Sequence, residues 1–345
     1  MFFSKIQKSL VSLCDYYKDY FYVGTALSRW TLFNKGIEQK LALKHFNEFV
    51  AENLTKPMFL YKDENTIDFT EADKYLKFCK KYNKKIRWHT LVWHAQMPKW
   101  IYYQDKECKE LATKEMLEAR IKKYIFAVME HTKDYVSSYD VVNEPISDKT
   151  YKLRTEEDHS FWQKILGPDY VEKMFTWAHE ANPNAELVIN DYNIESTIGK
   201  REGMYNFVKE MLAKNVPISA VGLQMHISVN DPPVEQIEET INMFGELGLK
   251  VLVTEMDVSV YNFEDKERIE YTPELLEKQA QRYKEIFECF KRCAKKGYLT
   301  DVVLWGTMDN RSWKNDFPVP GRTDIPLLFD GKGKAKPSFY SITEE

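Results

Sequence analysis

The sequence has few cysteines, and their spacing matches neither a disulfide framework nor a metal site. Cys14, Cys79, Cys108, Cys289 and Cys293 are odd in number and form no CxxC pair. The last two lie four residues apart in a helical pattern, a spacing that favours side-by-side packing over metal binding. The sequence therefore indicates a reducing compartment without disulfides.

Neither sign of charge is in excess, and no long apolar run occurs. The chain has 345 residues with 49 Lys and Arg against 53 Asp and Glu, so it has no basic excess to neutralise nucleic-acid phosphates. No window holds 18 consecutive apolar residues, as a membrane-spanning helix would need. Residues 1–20 contain neither the apolar stretch nor the small-residue cleavage site of a secretory signal. We expect no nucleic-acid or membrane partner, a monomer or weak oligomer, and a cytoplasmic location. Secretion is the alternative if a leader has been removed.

Eight short apolar stretches recur, and the first seven are each followed by a longer helical pattern. They cover 21–27, 46–53, 85–93, 138–144, 186–193, 220–226, 250–258 and 301–307. Their near-continuous apolar character is typical of parallel strands covered on both faces. Eight such units predict an α/β fold, a (β/α)8 TIM barrel, as a single domain over residues 1–345. A doubly wound sheet is less favoured because Gly24 stands alone where that fold has a glycine-rich turn.

Polar side chains follow the ends of these strands, where the loops of such a barrel converge on the active site. Burying a carboxylate is costly unless it is paired, so Glu144 and Glu255 at the ends of the fourth and seventh stretches are informative. Two carboxylates facing each other across a barrel mouth suit either metal-assisted hydrolysis or glycoside cleavage by two carboxylates.

A metal centre is the less favoured of these two interpretations. The sequence has no HExxH or His-x-His pattern, and His89 and His94 are spaced to point to opposite faces of an extended segment. His226 is a lone histidine near a carboxylate, which is more often a hydrogen-bonding partner than a ligand. We therefore expect no metal and no cofactor.

Cleavage of a sugar chain needs aromatic platforms as well as two carboxyl groups. Core packing explains any single tryptophan, but several aromatic residues at or just beyond strand ends are harder to explain in this way. The candidates are Trp93, Tyr192, Trp305 and Trp313. The residues alone thus favour a glycoside hydrolase.

The sequence resembles glycoside hydrolase family 10, the β-1,4-xylanases, from about Gly24 to the C-terminus. HTLVWHAQMPKW resembles the signature of the third strand, SYDVVNEP the acid/base motif and LVTEMDVSV the nucleophile motif. AENLTKP, INDYN, GLQMH, VVLWGTMDNRSW and PLLFDGKGKAKPSFY follow the family's order. Trp88 and Met256 depart from it, standing where the family usually has Gly and Leu. The segment between Tyr261 and Gln281 and the lack of an apparent signal are most similar to intracellular members, which act on short xylo-oligosaccharides.

The resemblance implies a retaining endo-1,4-β-xylanase that cleaves xylan-derived oligosaccharides by double displacement. It implies that Glu144 is the general acid/base and Glu255 the nucleophile, with Asn143 on the sugar 2-OH and His226 on Glu255, backed by Asp257. Residues implied to line the glycone side are Glu52, Asn53, Lys56, His89, Trp93, Gln96, Gln224, Trp305 and Trp313. A retaining mechanism predicts a carboxyl separation of about 5 to 5.5 Å. A β-1,4-glucanase of mixed specificity and a non-catalytic sugar-binding barrel are the alternatives.

Overall fold

The computed structural model describes residues 10–105, 107–263 and 265–344. Eight parallel strands form a closed barrel, in which the first strand pairs with both the second and the eighth. In chain order they are Tyr22–Leu27, Glu48–Ala51, Lys85–Trp88, Ser138–Asn143, Glu186–Asp191, Ala220–Leu223, Lys250–Ser259 and Leu299–Leu304. The predicted (β/α)8 TIM barrel is confirmed. Residues 1–9, part of the segment used to predict the location, lie outside the described residues.

Closure of the barrel depends on a glycine in the first strand. Gly24 is in register with Glu48 on one side and with Val303 on the other. A Cβ at this position would lie 2.8 Å from Val303 Cγ2 and 3.2 Å from the Glu48 carbonyl oxygen. A larger residue would therefore push the first strand away from its neighbours.

Helices surround the barrel and bury their apolar faces against it. The longer ones are Ile37–His45, Thr70–Lys81, Lys114–Thr132, Tyr170–Ala181, Ile198–Ala213, Val234–Gly245 and Pro273–Lys295. Shorter ones are Leu13–Tyr16, Arg29–Phe33, Pro57–Leu60, Trp162–Leu166 and Pro337–Ser341, with 3-10 turns at Lys99–Tyr102, Glu156–Asp158 and Asp309–Arg311. A small hairpin pairs Tyr61–Asp63 with Thr66–Ile67 outside the barrel. Among the described residues, none of the helices combines the length and the apolar character needed to cross a membrane.

The helix Pro273–Lys295 shows how sequence sets these elements. The Thr272 side chain caps its first turn by accepting from the Leu275 amide at 3.3 Å, and Pro273 occupies the position where no amide donor is needed. Tyr283, Phe287 and Phe290 recur at helical spacing and are buried. This face contributes to the apolar core between helices and barrel.

Two predicted strands are wrong in their extent, because each breaks just before a site residue. The predicted stretch 85–93 ends at Trp88 and resumes as Val92–Trp93, since the Leu91 amide and the Thr90 hydroxyl both donate to the Asp140 carbonyl. The predicted stretch 220–226 ends at Leu223 and resumes as His226–Ser228. Met225 between them has a φ of 61°, which turns the chain out of strand geometry.

Buried or partly buried charged side chains of the second, third, fourth and eighth strands contact one another. Lys85 Nζ lies 3.1 Å from Glu48 Oε1 and also pairs with Asp301. One layer higher, Arg87 pairs with Asp140. Because these charges are paired inside the barrel, they form a rigid floor for the residues at its mouth.

Candidate active site

One cavity of about 990 Å³ opens at the carboxyl ends of the strands. Thirteen of the fifteen predicted site residues line it: Glu52, Asn53, Lys56, His89, Trp93, Gln96, Glu144, Tyr192, Gln224, His226, Glu255, Trp305 and Trp313. The other two, Asn143 and Asp257, are buried beneath the lining. The structure thus brings the predicted residues together, thirteen of them in the cavity lining and two of them buried directly behind it.

Glu144 follows the fourth strand in a left-handed conformation with a φ of 54°. Its amide donates to the Asn190 carbonyl at 2.7 Å, and Arg154 Nε donates to its carbonyl at 2.9 Å. A non-glycine residue holds such a conformation only where its surroundings fix it. These two bonds turn the carboxyl group out of the strand and into the cavity.

The Glu144 carboxyl group has neutral hydrogen-bond donors. Trp93 Nε1 donates to Oε2 at 2.9 Å, and Oε1 accepts from Gln224 Nε2 at 3.0 Å and from Asn143 Nδ2 at 3.2 Å. Burial raises the pKa of Glu144, and the negative charge of Asp191 raises it further, against the hydrogen bond from Gln224. This environment favours a carboxyl group that holds its proton.

Glu255 belongs to the seventh strand and has two histidines as neighbours. Asn190 Nδ2 donates to its Oε1 at 2.9 Å, His226 Nε2 lies 3.4 Å from Oε2, and His89 Nδ1 lies 4.0 Å from Oε1. Burial by itself would raise the pKa of Glu255. The charge of His89 and the hydrogen bond and charge of His226 outweigh burial and lower this pKa to about 2. Glu255 is therefore the more acidic of the two carboxyl groups.

A hydrogen-bonded row behind Glu255 fixes the orientation of His226. The Nδ1 atom of His226 lies 2.8 Å from Asp257 Oδ2, which also accepts from Trp313 Nε1 at 2.7 Å. Lys314 Nζ is 3.6 Å from the other Asp257 oxygen. Burial alone would lower the pKa of His226, but Asp257 and Glu255 raise it to about 9. His226 thus presents an N–H group to Glu255 at neutral pH.

Several residues predicted for the glycone side contact one another in the cavity lining. Lys56 Nζ donates to Asn53 Oδ1 at 3.0 Å and lies 5.2 Å from the centre of the Trp93 ring. Trp305 meets the His89 ring edge to face at 5.4 Å. The wall combines flat rings with hydroxyl-binding polar groups, as recognition of a sugar requires.

Tyr192 is held by three charged neighbours. Its hydroxyl accepts from an Arg154 guanidinium nitrogen at 2.8 Å and donates to Asp148. Lys200 Nζ lies 3.6 Å from the centre of its ring, so one face of the ring is covered. The role of Tyr192 as a platform stays a prediction, although its side chain lines the cavity.

Sequence reasoning missed Asn190 as a functional residue. Its side-chain amide donates to Asn143 Oδ1 at 2.8 Å as well as to Glu255, and its Oδ1 accepts from the Thr254 hydroxyl at 2.7 Å. It therefore positions both carboxyl groups, one through its main chain and one through its side chain. The available signal was an asparagine at the end of an apolar strand, where a buried amide needs partners.

Sets of three or more His, Cys, Asp or Glu side chains suited to a metal ion do not occur within residues 10–105, 107–263 and 265–344. The carboxylates of the site are instead hydrogen-bonded to neutral donors and histidines. The chemistry that this set supports directly is proton transfer and nucleophilic attack by carboxyl groups.

Comparison with known proteins identifies relatives over nearly the whole chain. The chain is 40% identical to an endo-1,4-beta-xylanase A of Caldicellulosiruptor saccharolyticus, over 96% of this chain and 95% of the relative. It spans only about a third of another match, the endo-1,4-beta-xylanase C of Paenibacillus barcinonensis, with 38% identity and 98% of this chain aligned.

Solved structures agree with these sequence matches. The structure of a GH10 protein from Paenibacillus barcinonensis matches with a TM-score of 0.94 and 38% identity, covering 96% of this chain and 97% of that chain. TsXylA, described as an intracellular xylanase of Thermoanaerobacterium saccharolyticum, was solved as a mutant complexed with xylotetraose. It matches with a TM-score of 0.88 and 37% identity over 97% and 99% of the two chains. The profile described as "Glycosyl hydrolase family 10" matches residues 12–345. The chain belongs to glycosyl hydrolase family 10.

Proposed function

We propose that this chain is a retaining endo-1,4-β-xylanase in which Glu255 is the nucleophile and Glu144 the general acid/base. The observation that carries the proposal is the divided protonation of the two carboxyl groups. Burial and Asp191 raise the pKa of Glu144, whereas His89 and His226 lower that of Glu255 to about 2. The two pKa values are thus shifted in opposite directions, which favours one group as an acid and the other as an anion, as double displacement requires.

In the first step Glu255 attacks the anomeric carbon while Glu144 gives its proton to the departing glycosidic oxygen. Asn190 and His226 hold the Glu255 carboxylate through its two different oxygens. The attacking group therefore has a fixed direction before substrate arrives. The separation of about 5 to 5.5 Å between the carboxyl groups stays a prediction.

In the second step Glu144, now ionised, removes a proton from water that attacks the glycosyl–enzyme bond. Formation of that bond consumes the negative charge of Glu255. Because Glu255 is one of the charges that raise the pKa of Glu144, its loss lowers that pKa and makes Glu144 a carboxylate. We propose that Asn143 forms a hydrogen bond with the sugar 2-OH. The side-chain amide of Asn190 donates to Asn143 Oδ1 and so fixes the position of this residue.

Xylan-derived oligosaccharides are the proposed substrate. The relative complexed with xylotetraose supports this choice, as do the platforms Trp93 and Trp305 beside the two carboxyl groups. Trp305 and Trp313 border the site near His226, where a C6 hydroxymethyl group of glucose would need space. We extend the proposal to a cytoplasmic location, since TsXylA is described as intracellular.

The direct test is Glu255→Ala assayed on an aryl xylobioside with and without azide. We expect turnover to be abolished, because no group is left to attack the anomeric carbon, and azide to restore it with an inverted glycosyl azide as product. Nuclear magnetic resonance of the product gives the anomeric configuration. Undiminished turnover in the variant would remove Glu255 from the mechanism, and a non-catalytic sugar-binding protein would show no turnover in the unmodified chain.

A further inference from the structure

A row of aromatic rings leads from His226 outward along one side of the cavity. The Trp313 ring lies 4.8 Å from the His226 ring, and Phe317 stacks on Trp313 at 5.0 Å with the planes 30° apart. Phe263 then meets Phe317 edge to face at 6.0 Å. All of these residues line the cavity. The cavity thus continues past Trp313 along two phenylalanine rings that have no part in bond cleavage.

Both phenylalanines are open to solvent. Phe263 is 59% exposed and Phe317 is 44% exposed. Scattered exposed rings are common, but contiguous ones that extend a ligand cavity mark a surface on which something binds. A phenyl ring offers a flat apolar face without a hydroxyl group, which suits the C–H-rich face of a pyranose ring.

A buried arginine ties together the two loops that carry these rings. Arg322 is only 2% exposed, and its guanidinium donates to the carbonyls of Phe263 and Phe317, each at 3.4 Å, and of Asp265 at 2.6 Å. It also lies 4.6 Å from the centre of the Tyr261 ring. Because one charged group binds both main chains, the rings are held in place before any ligand arrives, which lowers the entropy lost on binding.

The position of the row indicates which part of a substrate reaches it. Phe263 follows the seventh strand and Phe317 the eighth, whereas Glu52 and Lys56 of the glycone wall follow the second. A chain that enters along the glycone wall and passes Glu255 leaves the cleft on the side of the seventh strand. Exposed Asn262 lines the same end of the cavity as Phe263 and offers a polar group to sugar hydroxyls.

We propose that Phe263 and Phe317 form a stacking subsite for a xylose unit on the leaving-group side, beyond the sugar next to the cleaved bond. The assignment rests on the proposed function, because the direction of the chain comes from the roles of Glu144 and Glu255. In this proposal, contact with the two phenylalanine rings makes longer xylo-oligosaccharides better substrates than short ones.

The test compares kcat/KM on two substrates for ring-deleting and ring-keeping variants. Xylohexaose reaches the subsite, whereas an aryl xylobioside has only its aryl group beyond the cleaved bond. Phe263→Leu and Phe317→Leu keep apolar bulk but remove the flat face, and Phe263→Tyr and Phe317→Tyr keep it. Phe33→Leu is the matched control, since Phe33 is 41% exposed and lies outside the cavity lining.

We expect each leucine variant to lower the ratio of kcat/KM on xylohexaose to that on the aryl xylobioside roughly two- to tenfold, as for a lost aromatic contact. The tyrosine variants and Phe33→Leu should keep the ratio of the unmodified chain. An unchanged ratio in both leucine variants would overturn the subsite, whether kcat/KM falls equally on the two substrates or on neither of them. Failure of the unmodified chain to cleave either substrate would instead overturn the proposed function.

Discussion

Replacing His226 with asparagine should raise the pH at which Glu255 loses its charge. Glu255 has its pKa lowered from 4.5 to about 2, and burial acts against this lowering. His226 supplies both a hydrogen bond at 3.4 Å and a positive charge, while His89 supplies the other charge at 4.0 Å. The neutral, shorter asparagine removes the His226 contribution, so we expect this pKa to rise by roughly one to two units, or about 1.4 to 2.7 kcal/mol.

The sign of the effect follows from which form is active. The nucleophile must be ionised, so activity is present above the pKa of Glu255 and lost as pH falls through it. We expect this loss near pH 2 in the unmodified chain, where the pKa of Glu255 is lowered to about 2, and between about pH 3 and 4 in His226→Asn. The measurement is kcat/KM for an aryl xylobioside from about pH 1.5 to 7, because this range spans both expected acid limbs and kcat/KM reports ionisations of the free enzyme.

The matched control is His131→Asn. The Nε2 atom of His131 lies 2.6 Å from Asp73 Oδ1 on the surface, so this variant also removes a histidine–carboxylate pair, but one outside the cavity lining. We expect the acid limb of kcat/KM to lie at the same pH in His131→Asn as in the unmodified chain. Circular dichroism at each pH separates loss of activity from unfolding. An acid limb that does not move in His226→Asn would refute the idea that His226 keeps Glu255 ionised.

Two further predictions concern the acid and the specificity. Glu144→Gln should remove the alkaline limb of kcat/KM. It should also slow cleavage of xylan far more than cleavage of an aryl xylobioside with a good leaving group, because only the poor leaving group needs the proton. Equal losses on the two substrates would count against Glu144 as the acid. An aryl xylobioside should be cleaved faster than the matching aryl cellobioside, because we propose that Trp305 and Trp313, which lie beside His226, leave no room for a C6 hydroxymethyl group. Equal initial rates would favour the mixed glucanase.

The sequence was sufficient to predict the barrel because its strands have a strong local signal. A parallel strand covered on both faces is a short apolar run, and Glu186–Asp191 and Lys250–Ser259 have this character. The loops after such strands meet at one end of the barrel, so polar residues there could be assigned to one site. Thirteen of the predicted residues line one cavity for that reason.

What the sequence could not predict depends on contacts between distant residues. The third strand breaks because Thr90 and Leu91 bind the carbonyl of Asp140, about fifty residues away. The role of Asn190 depends on Glu255, and that of Arg322 on Phe263 in another loop. A local pattern of period two or 3.6 does not reveal contacts between residues so far apart in the chain, so only the closed barrel shows what each one contacts.

The two carboxyl groups of the site differ in their partners rather than in their burial. Both are withdrawn from water, and burial acts on both pKa values in the same direction. Glu255 has the positive charge of His226 beside it, whereas Glu144 accepts from the neutral amide of Gln224 and has the negative charge of Asp191 nearby. A neutral donor orients a carboxyl group but shifts its pKa less than a neighbouring ion does. In the proposed mechanism, the asymmetry of charge around these two groups is therefore what separates the acid from the nucleophile.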